Sequence, residues 1–207
     1  MQIVETNFRF NGKMAQRSAT TRIVLHHSAS DPSTTISDIH RWHQGQGWSG
    51  IGYHYVIHSD GSIHRGRPEW ARGSHAYQDS RHEANSNGIG ICLAGNFQTG
   101  KPTSAQMESV TWLIRDIWTR FPDIAIIGHK DVMPTACPGK NFPWGELNKR
   151  LEGLSMAEPW KEELMQEADK AGLIDLKVGK HKPDEPATKW FVLAVALNLL
   201  KVIKGGK

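Results

Sequence analysis

Segments with the pattern of β-strands alternate with helical segments along the first 150 residues or so. Runs rich in branched apolar residues occur at 21–28, 87–96 and 123–129, each short enough to be a buried strand. Residues 52–67 contain two further short runs around Asp60 and Gly61, a typical hairpin turn. This alternation is typical of layered α/β folds, so we predict one α/β domain of about 150 residues.

Two segments between these strands have the periodicity of helices with one buried face. Residues 34–47 place Ile36, Ile39 and His43 on a common face and end in glycines. The second helix is predicted to begin at a capping box formed by Thr103 and Gln106. The apolar residues that follow form its predicted buried stripe: Met107, Val110, Ile114, Ile117 and Phe121.

The composition changes after Leu154. Residues 155–207 contain two segments typical of helices, separated by a polar stretch with prolines. We therefore predict two domains, residues 1–154 with the α/β fold and residues 155–207 as a small helical module. The most apolar run, from Trp190 to Leu200, is too short to cross a bilayer, so we expect it to be buried by docking or self-association and expect no membrane insertion.

Charge and cysteine content narrow the class of protein. The net charge of +4 and the pI near 9.1 suggest mild attraction to a polyanion. No run of five basic residues occurs, so a cell-wall polymer fits as well as nucleic acid. Two cysteines exclude a disulfide-rich scaffold. The N-terminal residues lack an apolar run, and we therefore expect no secretory signal peptide and synthesis in the cytoplasm.

The segment GHKDVMPTACPG, residues 128–139, has the composition of a metal-binding loop. Cys137 lies eight positions after His129. Pro134 precedes it and Pro138 follows it, and both prolines restrict the backbone. Because side chains alternate along a strand, only one of the adjacent His26 and His27 can join them. Two imidazoles and a thiolate are typical of catalytic zinc sites. Since the chain has eleven histidines, most of them surface or core residues, spacing alone does not settle the ligand set.

Five motifs together resemble a known family. The segments at 23–30, 41–67, 73–76, 85–97 and 128–139 are similar, in this order, to motifs of the zinc-dependent N-acetylmuramoyl-L-alanine amidases of type 2. That group includes the T7-like phage lysozymes and the peptidoglycan recognition proteins. The resemblance covers roughly residues 20 to 150 and implies a central mixed β-sheet flanked by helices. It further implies Zn²⁺ as the cofactor, bound by His26, His129 and Cys137.

The resemblance also suggests roles for three other residues. Tyr53 would lie over the zinc-bound water and the substrate carbonyl, although an ordinary strand aromatic explains its sequence context equally well. His75 falls where the family lines its cleft and is our candidate for proton transfer, with a plain loop histidine as the alternative. Thr135 occupies a position where T7-like members have lysine and active recognition proteins have a small hydroxyl residue. It would donate a weaker, neutral hydrogen bond. We interpret Cys92 as a core residue.

The function implied by the resemblance is cleavage of the amide bond between N-acetylmuramic acid and L-alanine in bacterial peptidoglycan. A phage or prophage endolysin, made in the host cytoplasm and acting on the wall after release, fits the expected lack of a signal peptide. The alternative is a module that binds peptidoglycan without cutting it. We expect no nucleic-acid partner. A secondary wall polymer or a second copy of the chain is the expected partner of residues 155–207.

Overall fold

A computed structural model describes residues 1–76, 83–122 and 124–152. Six strands form one sheet in the order β1-β4-β3-β5-β2-β6. Their bounds are β1 Ile3–Val4, β2 Arg22–His27, β3 Tyr55–Ile57, β4 Ile63–Arg65, β5 Gly88–Leu93 and β6 Ala125–Gly128. Only the β3–β4 pair is antiparallel and the other four pairs are parallel, so the prediction of a mixed sheet with helices is confirmed.

The helices of the described residues are α1 Ile36–Gly45, α2 Ala84–Asn87, α3 Ser104–Arg120 and α4 Trp144–Glu152. None of them is long and apolar enough to span a membrane. All six strands belong to the compact unit Met1–Leu147. The predicted helical module at 155–207 lies outside the described residues, so the boundary at residue 154 stays a prediction.

The central strand β2 determines where the core lies. It pairs in parallel with β5 on one side and β6 on the other. Ile23, Val24 and Leu25 are fully buried. A strand covered on both faces is a continuous apolar run rather than an alternating one, which is why this segment was recognisable in the sequence.

The two longer helices both begin at a capping box, which was predicted for α3 alone. Thr103 caps α3 and exchanges capping-box hydrogen bonds with Gln106, as predicted. The stripe from Met107 to Ile117 is buried, whereas Phe121 lies at the C-cap and is only half-buried. In α1 the buried residues are Ile36, Ile39 and His40. His43, predicted to share a face with Ile36 and Ile39, is half-buried, and its Nδ1 accepts a hydrogen bond from the Gly52 amide at 3.0 Å. His40 is covered by an N-terminal segment, because its ring stacks on Phe8 at a centroid distance of 4.2 Å.

Parallel pairing brings the carboxyl ends of β2, β5 and β6 to one edge of the sheet. His26 is the penultimate residue of β2 and pairs with Cys92 of β5, while β6 ends at Gly128. His129 was predicted to end this strand, but it begins the short 3-10 helix His129–Asp131. The Asp131 carboxylate accepts a hydrogen bond from the Gly128 amide at 2.7 Å, which turns the chain at that point. Ligands of parallel sheets bind at this carboxyl edge.

Candidate metal centre

Three side chains from distant parts of the sequence converge at the carboxyl edge of the sheet. His26, His129 and Cys137 each offer one ligand atom, and these atoms all lie within 4.8 Å of one another. The rings of His26 and His129 have centroids 4.5 Å apart, and Cys137 Sγ lies 3.7 Å from His26 Nδ1. Within residues 1–76, 83–122 and 124–152 this is the only cluster of histidine, cysteine or carboxylate ligands with metal-binding geometry.

The alternation of side chains along β2 selects His26 over His27. The ring of His26 is fully buried in the cluster. The ring of His27 faces the other side of the sheet, where its Nδ1 accepts a hydrogen bond from the Phe97 amide at 2.9 Å. His27 contributes only its backbone, because its N–H donates to Cys137 Sγ at 3.4 Å.

The loop that carries Cys137 is held by its backbone as well as by its prolines. The Lys130 amide donates to the Cys137 carbonyl at 2.8 Å, which closes the loop on the segment that carries His129. Gly139 has φ of +105°, and a Cβ there would lie 2.4 Å from the carbonyl carbon of Phe97. Only glycine therefore fits this position, where the cysteine loop passes closely over the backbone of Phe97 in the segment after β5.

The chemistry of the three donors fits a zinc ion. Burial lowers the pKa of His129 to about 4 and lowers that of His26 well below its usual value, so both imidazoles are neutral at pH 7. His129 Nε2 is buried and has no hydrogen-bond partner among the described residues. Burial raises the pKa of the Cys137 thiol to about 11, and a thiol in such a place ionises when a metal cation coordinates it. Two imidazole nitrogens and one thiolate are a ligand set typical of zinc.

Tyr53 and His75 both lie next to His26, and their own ring centroids are 6.4 Å apart. The centroid of the half-buried Tyr53 ring is 5.0 Å from that of His26. Burial raises the pKa of Tyr53 well above its usual value, so the hydroxyl keeps its proton and can donate a hydrogen bond at neutral pH. His75 Nδ1 lies 3.0 Å from His26 Nε2, and burial lowers the pKa of His75 well below its usual value.

Thr135 lies at the surface of the cysteine loop. Its hydroxyl accepts a hydrogen bond from the Cys137 amide at 3.3 Å. The residue is exposed, so the same hydroxyl is open to solvent and to a ligand above the loop. The structure thus brings five of the six predicted site residues together as side chains and connects Thr135 to them through the Cys137 backbone.

Two histidines next to the cluster, one buried and one half-buried, were not predicted as site residues. His54 is fully buried, and its Nδ1 accepts a hydrogen bond from the Gly90 amide at 2.9 Å. His43 lies between Trp48 and Tyr53, at centroid distances of 4.6 and 5.6 Å. Nothing in the spacing distinguishes these residues from the other histidines of the chain. Cys92 is fully buried and free, in a core cluster against which Tyr53 packs.

Known proteins are similar to this chain in sequence. The family model for N-acetylmuramoyl-L-alanine amidase matches residues 16–140. The endolysin of Escherichia phage T7 is 37% identical over 142 residues, which cover 65% of this chain and 91% of that protein. The peptidoglycan-recognition protein SC2 of Drosophila simulans is 32% identical over 146 residues, covering 65% of this chain and 76% of that protein.

A solved structure supports the same assignment. The N-acetylmuramoyl-L-alanine amidase LysC from Clostridium intestinale URNW superposes with a TM-score of 0.68 at 38% identity, covering 73% of this chain and 98% of that one. The family match at residues 16–140 spans more than half of the chain and includes every residue of the cluster. This chain belongs to the N-acetylmuramoyl-L-alanine amidase family.

Proposed function

We propose that the chain is a peptidoglycan hydrolase that uses a zinc ion bound by His26, His129 and Cys137. It cleaves the amide bond between the lactyl group of N-acetylmuramic acid and L-alanine of the stem peptide. The observation that carries the zinc proposal is the approach of the three ligand atoms to within 4.8 Å of one another. The amidase activity itself follows from membership of the family.

Each residue around the cluster has a separate task in this reaction. A zinc ion at this site would supply a bound water of pKa near 7 and an electrophile for the substrate carbonyl. The Tyr53 hydroxyl donates a hydrogen bond to the carbonyl oxygen as negative charge develops on it. Thr135, exposed on the cysteine loop, donates a second and weaker hydrogen bond from a neutral group.

The retained donor set favours cleavage over binding alone. A module that only recognises peptidoglycan needs a cleft but no metal ligands, and here all three donors are present, with His26 and Cys137 buried and His129 half-buried. The relatives that are named endolysins support a role in lysis. The chain would then be made in the host cytoplasm and act on the wall after release, and residues 155–207 would bind a secondary wall polymer or pair two chains.

Digestion of purified peptidoglycan tests this function. We expect the zinc-loaded protein to release stem peptides with a free L-alanine amino group, identified by mass spectrometry, and a chelator to stop the release. Cys137→Ala should lose both zinc and activity. Cys92→Ala, which removes the other buried free thiol, should keep both. Sugar reducing ends without free alanine amino groups would mean a glycosidase and would contradict the proposal.

A further inference from the structure

His26 has a second buried contact on the side of its ring that faces away from Cys137. Its Nδ1 faces the Cys137 sulfur at 3.7 Å, and its Nε2 lies 3.0 Å from Nδ1 of His75. Both nitrogens of this fully buried imidazole are therefore engaged, one toward the metal ligands and the other toward a second histidine.

The direction of the His26–His75 hydrogen bond follows from the chemistry of a neutral imidazole. Only one ring nitrogen carries a proton, and the other offers a lone pair. If His26 gives its Nδ1 lone pair to a metal, its proton is on Nε2, so His26 is the donor and His75 Nδ1 the acceptor. The proton of His75 is then on Nε2.

The protein holds the His75 ring in place from both sides. A Cβ at Gly73 or at Gly90 would lie 2.5 or 2.4 Å from a carbon of this ring, so glycine is required at both positions to admit it. The Gly90 backbone cannot shift freely, because its amide donates to His54 Nδ1 at 2.9 Å.

The backbone of His75 is fixed as well. Asn85 Oδ1 accepts from the amides of His75 and Ala76 at 2.9 and 3.0 Å, and the neighbouring Ser74 amide donates to the Gly52 carbonyl at 3.0 Å. The side chain of His75 is only 5% exposed. Such a ring is well placed to orient its neighbour and poorly placed to exchange protons with water.

We propose that His75 is a positioning residue that accepts the Nε2–H hydrogen bond of His26 and so presents the Nδ1 lone pair of His26 to the metal. The proposal rests on the zinc site proposed above. It differs from the proton-transfer role expected from the resemblance. In this proposal His75 acts through its Nδ1 atom, which is a hydrogen-bond acceptor held at a fixed position. Partners of this kind typically change metal affinity by ~10- to 100-fold.

A matched pair of variants separates the acceptor from the shape of the side chain. Asparagine carries an oxygen close to the position of Nδ1 of histidine, whereas leucine has nearly the shape of asparagine and accepts no hydrogen bond. We expect His75→Leu to weaken zinc binding ~10- to 100-fold and His75→Asn to stay near the wild type, measured by competition with a chromophoric chelator. Thermal unfolding of the metal-free proteins serves as the folding control, with His75→Ala replacing His75→Leu if leucine prevents folding.

A second measurement uses the unaltered protein. Long-range ¹H–¹⁵N correlation spectra of the zinc-loaded wild type should show the protons of both His26 and His75 on Nε2. A proton on Nδ1 of His75 would overturn the proposal. So would zinc affinity in the folded His75→Leu or His75→Ala variant equal to that of the wild type.

The controls distinguish this inference from the proposed zinc site. Wild type that binds zinc, with Cys137→Ala that does not, establishes the site whatever His75 does. Wild type that binds no zinc overturns both proposals. Full zinc affinity in both His75→Leu and His75→Asn, with peptidoglycan cleavage lost in both, would assign proton transfer to His75 and refute the positioning role.

Discussion

Replacement of Tyr53 by phenylalanine removes one hydroxyl from the proposed site and leaves the ring in place. The Tyr53 ring packs against a buried cluster formed by α1, Val56 and Cys92, and phenylalanine preserves those contacts. At neutral pH the hydroxyl is a donor, because burial raises the pKa of Tyr53 well above its usual value. The substitution therefore deletes a hydrogen bond to the developing oxyanion, together with the contact between the hydroxyl and the buried Cys92 thiol.

The size of the effect follows from that single interaction. Loss of one oxyanion donor lowers kcat by ~10²- to 10³-fold, and each tenfold corresponds to about 1.4 kcal/mol of barrier. We expect a fall of ~10²-fold, about 2.7 kcal/mol, because the metal also stabilises this charge. The free energy of unfolding should change by less than about 1 kcal/mol.

Tyr55→Phe is the matched control. Tyr55 is fully buried two residues further on, and its hydroxyl accepts from Arg65 at 2.8 Å and donates to Glu69. Loss of these charge-assisted hydrogen bonds should cost ~1.5–3 kcal/mol of stability and leave kcat unchanged. The assay is the rate of free L-alanine amino groups released from soluble muropeptides, with zinc content and chemical denaturation measured on each variant. Unchanged kcat in zinc-loaded Tyr53→Phe would refute the oxyanion role.

Three further predictions concern the metal, the loop and the domain boundary. Zinc affinity should rise about tenfold per pH unit between roughly pH 5 and 6, because binding displaces one proton from the thiol of pKa about 11 while the His129 imidazole, of pKa about 4, is already neutral and a zinc-bound water of pKa near 7 keeps its proton; release of two protons per zinc in this range, measured with a pH indicator, would contradict this. Gly139→Ala should weaken zinc binding through its clash with Phe97, whereas Gly145→Ala, where a Cβ meets nothing within 4 Å, should not, as competition with a chelator will show. A chain that ends at residue 154 should fold, keep zinc and cleave soluble muropeptides; insoluble or metal-free protein would move the boundary.

Local patterns in the sequence were sufficient to predict most strands of the sheet and the cap of α3. The apolar run of β2, the turn at Asp60 and Gly61 and the capping box at Thr103 each depend on a few adjacent residues, and each is confirmed. The burial of His40 could not be predicted, because it depends on contact with Phe8, 32 positions away in the chain.

The site shows the same division between local and long-range information. Because side chains alternate along a strand, the sequence showed that His26 and His27 lie on opposite faces and that only one of them can join the other ligands. The contact between His26 Nε2 and His75 Nδ1 was not, since it joins residues 49 positions apart through space that two glycines leave open. Such contacts have no periodic signal in a single sequence.

X-ray absorption spectroscopy of the zinc-loaded wild type tests the central claim most directly. The account predicts one zinc per chain with one sulfur neighbour at about 2.3 Å and two imidazole nitrogens at about 2.0–2.1 Å, completed by an oxygen. The sulfur signal should disappear in Cys137→Ala and persist in Cys92→Ala. A zinc shell without sulfur, or with two sulfurs, would contradict the assignment of His26, His129 and Cys137 as the ligands.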